Sequence, residues 1–325
     1  MKVIVPVAGI GSRLRPHTYT QPKALLHVVG RPIIDHILEP IVRLDPEEVI
    51  FVIGFMGEQV EAHVRKNFRF PCRFVSQDKL LGLGYALNLA LEDISSGPLL
   101  VVLGDTIVDV DLRSFVSAGK YSLGLRQVDD PKRFGIAEIK EGKIVGLEEK
   151  PEHPKSDMAV IGLYYFEDAS LLKSLLAEHV RSGKTTRGEI QFTDALEQMI
   201  RQGVSFTPFE VREWYDCGKV ETLLATNRHL LERTTSSPAP DGSVVIPPVF
   251  IAPEARVSHS VIGPHVSISD GAVISECVIR NSIIGEGAVV ERAVLEDSLV
   301  GRGTTVRDEA RVLNVAQSAG SDADR

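Results

Sequence analysis

The chain has 325 residues, of which 43% are hydrophobic and 25% are charged, and its formal net charge is −8 at pH 7. This length predicts two domains, and the composition is ordinary for a globular protein in water. The negative charge argues against a general nucleic-acid binder or a membrane-surface protein, and no apolar run approaches the length of a membrane span.

The first predicted strand and the turn after it form the most informative stretch. The apolar run 3–7 predicts a buried strand, and it leads directly into Gly9 and Gly11. Glycine lets the backbone approach a ligand closely and turn its N–H groups toward an anion. Arg13 and Lys23 follow, and their charges match phosphate oxygens. The stretch therefore predicts a cradle for a polyphosphate.

Two common phosphate-binding motifs fail here. A Rossmann fingerprint needs a third small residue where Leu14 stands, and an acidic residue closing the second strand, which ends at Gly54. A P-loop at Gly183-Lys184-Thr185 fails because its required earlier glycine is Glu178. Taken alone, the glycines and cations fit a tight strand-to-helix turn with solvated charges equally well.

Strand and helix patterns alternate through the first half of the chain. Continuous apolar runs at 50–53 and 99–103 predict parallel strands covered on both faces. Apolar residues at helical spacing over 33–41 and 86–91 predict helices, so the pattern indicates an open α/β sheet. Further predicted elements are strands at 136–140 and 144–148 around a turn at Gly142, and helices at 171–176, 190–200 and 220–231.

The composition changes after residue 232. Residues 233–243 are rich in Ser, Thr and Pro and predict a linker. Beyond it, aliphatic residues recur in pairs six apart, as in Ile262/Ile268 and Ile284/Val290, which favours a parallel β-helix over an antiparallel β sandwich. We assign 1–232 to a first domain, 244–313 to the β-helix and 314–325 to a disordered tail.

Two aspartates are candidate ligands for Mg²⁺. Asp105 follows the strand at 99–103, at the edge where open α/β sheets bind ligands. Asp216 lies in Trp214-Tyr215-Asp216-Cys217-Gly218, and two carboxylates with phosphate oxygens and waters can complete an octahedral site. Asp105 also fits a turn or helix cap, and Trp214 and Tyr215 are expected to serve in packing.

Two further signals are weak on their own. Gln77 follows a short strand and precedes the glycine turn 81–84, and an amide can pair with a donor and an acceptor on a base edge. Glu149 and Lys150 close another strand, where the lysine could hold a phosphate and the glutamate could accept from hydroxyls. Such a charge pair is more often simply solvated.

The three cysteines are far apart in sequence and include no Cys-x-x-Cys pair. They therefore indicate neither a zinc site nor a disulfide framework. The first strand begins at the N-terminus without a charged-then-apolar leader, so the expected location of the protein is the cytoplasm.

In their order and spacing, these motifs resemble the sugar-1-phosphate nucleotidylyltransferases over residues 1 to about 232. The layout is closest to the long-form glucose-1-phosphate thymidylyltransferases, and several motifs are also similar to UTP–glucose-1-phosphate uridylyltransferases. The matching motifs are Ala8-Gly9-x-Gly11-Ser12-Arg13, Pro22-Lys23, Gln77 with Leu81-Gly82, Gly104-Asp105, Phe134-Gly135, Glu149-Lys150-Pro151, Gly162-Leu163-Tyr164, Gly188-Glu189 with Thr193-Asp194, and Asp216-x-Gly218. The resemblance implies a Rossmann-like (GT-A-like) α/β nucleotidyltransferase domain with a mixed sheet, followed by a left-handed parallel β-helix.

The resemblance also implies a role for each matched residue. The implied catalytic cations are Arg13, Lys23 and Lys150. The implied nucleotide-binding residues are Ala8, Gly9, Gly11, Ser12 and Arg13 around the triphosphate, Gln77 and Gly82 at the base, and Asp105. The implied sugar-phosphate residues are Gly135, Glu149, Lys150 and Gly162. Asp105 and Asp216 would hold Mg²⁺, and Glu189 and Asp194 would shape the sugar pocket or the local fold.

The implied reaction joins an NTP and a sugar-1-phosphate to give an NDP-sugar and pyrophosphate. The attacking oxygen is already an anion, so the protein needs cations that hold two anions together rather than a Ser, Cys or His nucleophile. The expected substrates are dTTP and glucose-1-phosphate, with UTP as the alternative nucleotide. The chain is expected to form a homo-oligomer and to bind neither nucleic acid nor membrane.

Two readings of a different kind stay open. In the first, the chain is a non-catalytic regulatory protein that binds a sugar nucleotide. Loss of Arg13, Lys23 or either metal aspartate would have supported it, and all four residues are present. Some β-helices of this type carry acyl-CoA-dependent acyltransfer, for which His259 or His265 would be needed. Surface histidines at turns are the favoured interpretation of those two residues.

Overall fold

The computed structural model describes residues 1–183, 185–240 and 242–308. The chain divides into two units, Met1–His229 and Leu230–Arg325, and each unit has a hydrophobic core of its own. In the described part of the chain, no helix combines the length and the apolarity that a bilayer crossing requires. The predicted disordered tail at 314–325 lies outside the described residues.

The first unit is built from strands and helices that mostly follow the predicted pattern. Its helices are α1 (Ile33–Val42), α2 (Gly57–Asn67), α3 (Leu83–Leu91), α4 (Leu112–Ser117), α5 (Ser170–Ser182), α6 (Phe192–Arg201) and α7 (Val220–Glu232), the last of which ends in the second unit. Its strands are β1 (Lys2–Pro6), β2 (His27–Val28), β3 (Arg31–Pro32), β4 (Glu48–Ile53), β5 (Cys72–Ser76), β6 (Leu99–Val102), β7 (Thr106–Asp109), β8 (Tyr121–Gln127), β9 (Gly135–Lys140), β10 (Lys143–Glu149), β11 (Met158–Phe166), β12 (Thr207–Glu210) and β13 (Glu213–Asp216).

The main sheet of this unit has nine strands and is mixed. Its central order is β10-β9-β11-β6-β1-β4-β5, and β8 joins it by pairing with β11 and β12. The strands β6, β1, β4 and β5 run parallel, whereas β11 pairs antiparallel with β6, β8 and β9. The mixed sheet confirms the fold class that the resemblance implied.

Of the parallel strands, β1, β4 and β6 are buried on both faces, as their continuous apolar runs predicted, whereas β5 at the end of the sheet order is half-buried. Val3, Ile4 and Val5 of β1 have no exposed surface, and the same holds for the interior of β4. The helix α3 contributes Leu87 and Leu91 to the same core. Because β1, β4, β5 and β6 are parallel, their carboxyl ends lie at one edge of the sheet, which places the loops after them side by side.

The described part of the second unit is a left-handed β-helix of short parallel strands. The strands are β14 (Val244–Val245), β15 (Val249–Ile251), β16 (Arg256–Ser258), β17 (Val261–Ile262), β18 (Val266–Ile268), β19 (Val273–Ser275), β20 (Val278–Arg280), β21 (Ile283–Ile284), β22 (Val289–Glu291), β23 (Val294–Glu296), β24 (Leu299–Val300) and β25 (Thr305–Arg307). They form three four-stranded parallel sheets, and each sheet takes every third strand.

The six-residue aliphatic pairs supply the core of this β-helix. Ile262, Ile268, Ile284 and Val290 are fully buried, and they belong to one cluster that runs through the coils. Part of the segment predicted as a linker packs along the first coil, because the Ser237 N–H donates to the Val249 carbonyl at 2.9 Å.

Candidate functional site

Two adjoining cavities lie at the carboxyl edge of the parallel strands. The first cavity has a volume of about 440 Å³ and is lined by the loop after β1 and by Gln77 and Gly82. The second cavity has a volume of about 660 Å³ and is lined by residues of β9, β10 and β11 and by the turn after β13. Asp105 and Glu189 line both cavities, so the two spaces meet at these carboxylates.

Apart from Asp194, every residue to which the resemblance implied a role lies on one of these cavities. The first cavity takes Ala8, Gly9, Gly11, Ser12, Lys23, Gln77 and Gly82. The second cavity takes Arg13, Gly135, Glu149, Lys150, Gly162 and Asp216, and Asp105 belongs to both. The structure therefore brings together residues that are spread over more than 200 positions of the sequence.

The glycine turn after β1 is held in a left-handed conformation at Gly11, where φ is +67°. A Cβ at this position would lie 3.0 Å from a methyl carbon of Thr18 and 3.1 Å from Lys23 Cβ, so glycine suits the turn both by its positive φ and by the tight space. The Thr18 hydroxyl also donates to the Gly11 carbonyl at 2.9 Å. The turn is thus fixed before any ligand binds.

Gln77 and the glycine turn 81–84 form another wall of the first cavity. The Gln77 Nε2 group donates to the Lys79 carbonyl at 3.0 Å, and none of the described residues donates to its Oε1 oxygen, which can accept from a ligand. Gly82 has a φ of +100°, and a Cβ there would lie 2.9 Å from the Ile190 carbonyl oxygen. The Ile190 N–H in turn donates to the Leu81 carbonyl at 2.7 Å.

A lysine and two aspartates converge where the cavities meet. Lys23 Nζ lies 2.7 Å from Asp105 Oδ2, and the Lys23 side chain is only 12% exposed. Asp216 is carried by β13, which pairs antiparallel with β7, and the Cys217 N–H donates to the Asp105 carbonyl at 3.0 Å. Burial raises the pKa of the Cys217 thiol to about 12, and the charges of Asp105 and Asp216 push it in the same direction.

A third carboxylate, that of Glu149, contacts several residues of the second cavity. Glu149 Oε2 accepts from the Thr193 hydroxyl at 2.7 Å, and Glu149 Oε1 lies 3.2 Å from Lys150 Nζ. A Cβ at Gly135 would lie 3.1 Å from the same Oε2 oxygen, so glycine leaves room for this contact. Burial raises the pKa of Tyr164, with the charges of Glu149 and Asp105 as further causes, so its phenol stays protonated.

The segment 186–191 links the two cavities. The Thr186 hydroxyl donates to Asp194 Oδ2 at 2.6 Å, and the amide of Gln191 contacts Glu189 Oε2 at 3.3 Å. Glu189 lines both cavities, whereas Asp194 lines neither. Of the two residues expected to shape the pocket or the fold, Glu189 faces the cavities. Asp194 lies outside them and holds the segment through its hydrogen bond with Thr186.

Sequence reasoning missed several residues of the second cavity. Trp214 was expected only to pack; it does contact Phe134 edge-on, with ring centroids 5.3 Å apart, but both aromatic rings also line the cavity. Lys132, Arg133, Thr193 and Lys219 line it as well. Lys219 follows directly on the Asp216-x-Gly218 motif, which was the available signal.

His259 and His265 lie at two different corners of one β-helix coil, between β16 and β17 and between β17 and β18. Both have positive φ angles, 49° and 62°, which fits their favoured interpretation as turn residues. His265 Nε2 lies 3.5 Å from a carboxylate oxygen of Glu232.

The fold is that of the nucleotidyl transferases. The Nucleotidyl transferase family model matches residues 2–233, and the chain belongs to that family. A second model, the GMPPB C-terminal domain, matches residues 245–321.

Among the relatives, the chain is 31% identical over 315 residues to a glucose-1-phosphate thymidylyltransferase of Streptomyces griseus, a match that covers 87% of each chain. It is 32% identical over 294 residues to the glucose-1-phosphate thymidylyltransferase of Streptomyces antibioticus, covering 86% of this chain and 81% of the relative. The UTP–glucose-1-phosphate uridylyltransferase AglF of Haloferax volcanii is 29% identical over 247 residues, covering 73% of this chain and 99% of the relative.

Solved structures show the same similarity. A Bacillus anthracis structure assigned as a glucose-1-phosphate thymidylyltransferase, in complex with sucrose, superposes with a TM-score of 0.63 at 31% identity, covering 73% of this chain and 97% of that chain. A UDP-glucose pyrophosphorylase complexed with UDP-glucose has a TM-score of 0.62 at 24% identity, covering 72% of this chain and 99% of that chain, and supports the fold.

Proposed function

We propose that this protein transfers a nucleotidyl group from dTTP to glucose-1-phosphate, giving dTDP-glucose and pyrophosphate. The observation that carries this proposal is the pair of cavities that meet at Asp105, each lined by the kinds of group its substrate needs. The first cavity offers a glycine turn and Lys23 for a triphosphate. The second offers Lys150 for a sugar phosphate and Glu149 for sugar hydroxyls.

The residues at the junction fit a divalent cation. Asp105 and Asp216 come from paired segments, line the second cavity together and both act on the Cys217 thiol, so two like charges converge there. Among the described residues, no group of three or more His, Cys, Asp and Glu side chains forms a metal centre. The two carboxylates with substrate oxygens and waters match the oxygen coordination that Mg²⁺ prefers.

The proposed chemistry is an in-line displacement at the α-phosphorus of the nucleotide. A phosphate oxygen of the sugar-1-phosphate forms the new P–O bond, and the bond between the α-phosphorus and the bridging oxygen to the β-phosphate breaks, releasing pyrophosphate. When bound, Mg²⁺ would offset charge on the phosphates. Arg13, Lys23 and Lys150 would hold the two anions in contact and stabilise the charge that develops.

The proposed nucleotide rests on the relatives and on Gln77. The Oε1 oxygen of Gln77 suits the ring N3–H donor of thymine and uracil, which cytosine lacks, although the exocyclic amine of cytosine is also a donor. The relatives at 31% and 32% identity, matched over most of their length, are thymidylyltransferases, which favours dTTP. dTTP and UTP differ by a methyl and a 2′-hydroxyl, and a methyl-sized difference gives discrimination of only about 10- to 200-fold.

The test is pyrophosphate release by the purified chain with Mg²⁺ and glucose-1-phosphate, in parallel with dTTP, UTP, CTP, ATP and GTP. We expect the highest kcat/KM with dTTP, and UTP second. A higher kcat/KM with UTP would show that UTP is the preferred nucleotide, and the proposed type of reaction would stand.

Control experiments distinguish the remaining hypotheses about the activity and the sugar. Arg13→Ala and Lys150→Ala should each lower turnover by about 100-fold or more while the protein stays folded, which excludes a contaminating enzyme. Mannose-, galactose- and N-acetylglucosamine-1-phosphate test for another sugar. No release with any of these combinations would contradict the proposal and favour the regulatory protein that binds a sugar nucleotide without turnover.

A further inference from the structure

Lys219 brings an unpaired positive charge to the second cavity. It lines that cavity together with Arg13 and Asp216. Lys23 and Lys150 already contact carboxylates, Lys23 at 2.7 Å from Asp105 and Lys150 at 3.2 Å from Glu149. No carboxylate of the described residues forms such a pair with Lys219, so its charge is available to a ligand.

The backbone of Lys219 is fixed at the start of α7. Its N–H lies 3.1 Å from the Thr222 hydroxyl, which in turn contacts the Lys219 carbonyl at 3.1 Å, and the Leu223 N–H donates to that carbonyl at 2.9 Å. The preceding Gly218 N–H donates to Asp216 Oδ1 at 2.8 Å. The turn that orients Asp216 therefore also fixes the backbone position from which the Lys219 side chain enters the cavity.

The second cavity holds several cations besides Lys150, namely Arg13, Lys132, Arg133 and Lys219. The contact with Glu149 offsets the charge of Lys150, so this pair alone gives little net attraction for a dianionic phosphate. Lys219 reaches the same cavity from a different element and does not line the first cavity. Its ligand is accordingly the anion of the second cavity rather than the triphosphate of the first.

We propose that Lys219 binds the phosphate of the sugar-1-phosphate and acts with Lys150 as a second phosphate-binding cation. This inference rests on the proposed function. A charge-assisted hydrogen bond to the attacking phosphate offsets the repulsion between the two substrates as they approach. Lys219 would therefore contribute to sugar-phosphate affinity, and the nucleotide affinity would depend little on it.

The test compares Lys219→Met with Lys219→Arg and with Lys66→Met, which removes an exposed lysine of α2 that lines neither cavity. We expect Lys219→Met to lower kcat/KM for glucose-1-phosphate by about 10- to 100-fold, chiefly through KM, and to leave the KM for the nucleotide within about threefold. Lys219→Arg should recover most of the loss, because it keeps the charge. Lys66→Met should stay within about threefold of the wild type.

Several outcomes would overturn the inference. A Lys219→Met enzyme with unchanged KM for glucose-1-phosphate would show that the contact does not exist. An equal loss in Lys66→Met would show that the effect comes from the net charge of the protein. A loss confined to the nucleotide KM would move Lys219 to the other substrate. If the wild type itself releases no pyrophosphate with any substrate pair, the proposed function fails first, and this result is distinct from activity that does not depend on Lys219.

Discussion

Glycines of the first cavity differ in what a side chain would meet at each position. At Gly9 a Cβ would have no heavy atom within 4 Å, so the position faces open space at the cavity. At Gly104 a Cβ would lie 2.3 Å from a methyl carbon of Val7 and 2.7 Å from the Pro6 carbonyl oxygen. Gly104 is therefore required by the fold, whereas Gly9 leaves room for a ligand.

Gly9→Ala and Gly104→Ala should separate these two roles. We expect Gly9→Ala to keep its unfolding temperature and to raise the KM for the nucleotide by about tenfold or more, because the added methyl occupies ligand space. Gly104→Ala should lose about 1–3 kcal/mol of stability through overpacking. Thermal unfolding and steady-state kinetics on both variants check this, and a destabilised Gly9→Ala with unchanged KM would contradict it.

The segment 186–191 shows how one element serves both cavities. Thr186 is tied to Asp194 at the start of α6, and the segment is bound to the glycine turn 81–84 through Ile190. It carries Glu189 to both cavities. The contacts behind the segment should consequently affect substrate binding although they do not touch the substrate.

Thr186→Val and Asp194→Ala each remove the hydrogen bond between these two residues. We expect each variant to lose about 1 kcal/mol of stability, or about 2–4 °C in unfolding temperature, and to raise the KM for glucose-1-phosphate. The double variant should lose less than the sum, because both changes delete one interaction. Fully additive losses would show that the two residues act independently.

At the scale of the whole molecule, two half-buried histidines with lowered pKa values should make stability depend on pH. Burial lowers the pKa of His36, and the ring lies 3.0 Å from the Val28 carbonyl through Nε2 and 3.3 Å from the Arg31 guanidinium through Nδ1. These partners suit a neutral ring that donates through Nε2 and accepts at Nδ1. Burial lowers the pKa of His17 in the same way.

The sign of this effect follows from the lowered pKa values. The unfolded chain takes up protons near pH 6.5, above the folded pKa, so stability is full above that pH and is lost as the pH falls through the folded pKa. We expect the unfolding temperature of the wild type to fall between about pH 7.5 and about pH 5.5, and the fall to be smaller in His36→Gln. An equal fall in both proteins would assign the pH dependence to other groups.

The two units have separate hydrophobic cores, so a substitution in one core is expected to destabilise that unit alone. Ile284 is fully buried in the β-helix and pairs in register with Ile268 and Val300. Ile284→Ala should destabilise the β-helix by about 2–5 kcal/mol, because it leaves a cavity between coils. Calorimetry with and without nucleotide checks this. The unfolding transition that nucleotide stabilises should keep its temperature in Ile284→Ala, and a change in that temperature would contradict the prediction.

The sequence by itself determined the local structure and the candidate residues. Strand and helix patterns and the six-residue repeat depend on backbone geometry over short stretches, and the β1 loop, α3, β9, β10 and the β-helix core follow them closely. The order of glycines, cations and aspartates carried the resemblance, because each motif lies within a few residues.

Only the tertiary structure decided how these residues meet. Lys23 and Asp105 are 82 positions apart and Thr193 and Glu149 are 44 apart, so no local pattern predicts that they bond. Trp214 and Lys219 reached the second cavity because β13 pairs with β7, a contact between distant segments. Long-range pairing set which charges are neutralised by neighbours and which remain for a substrate.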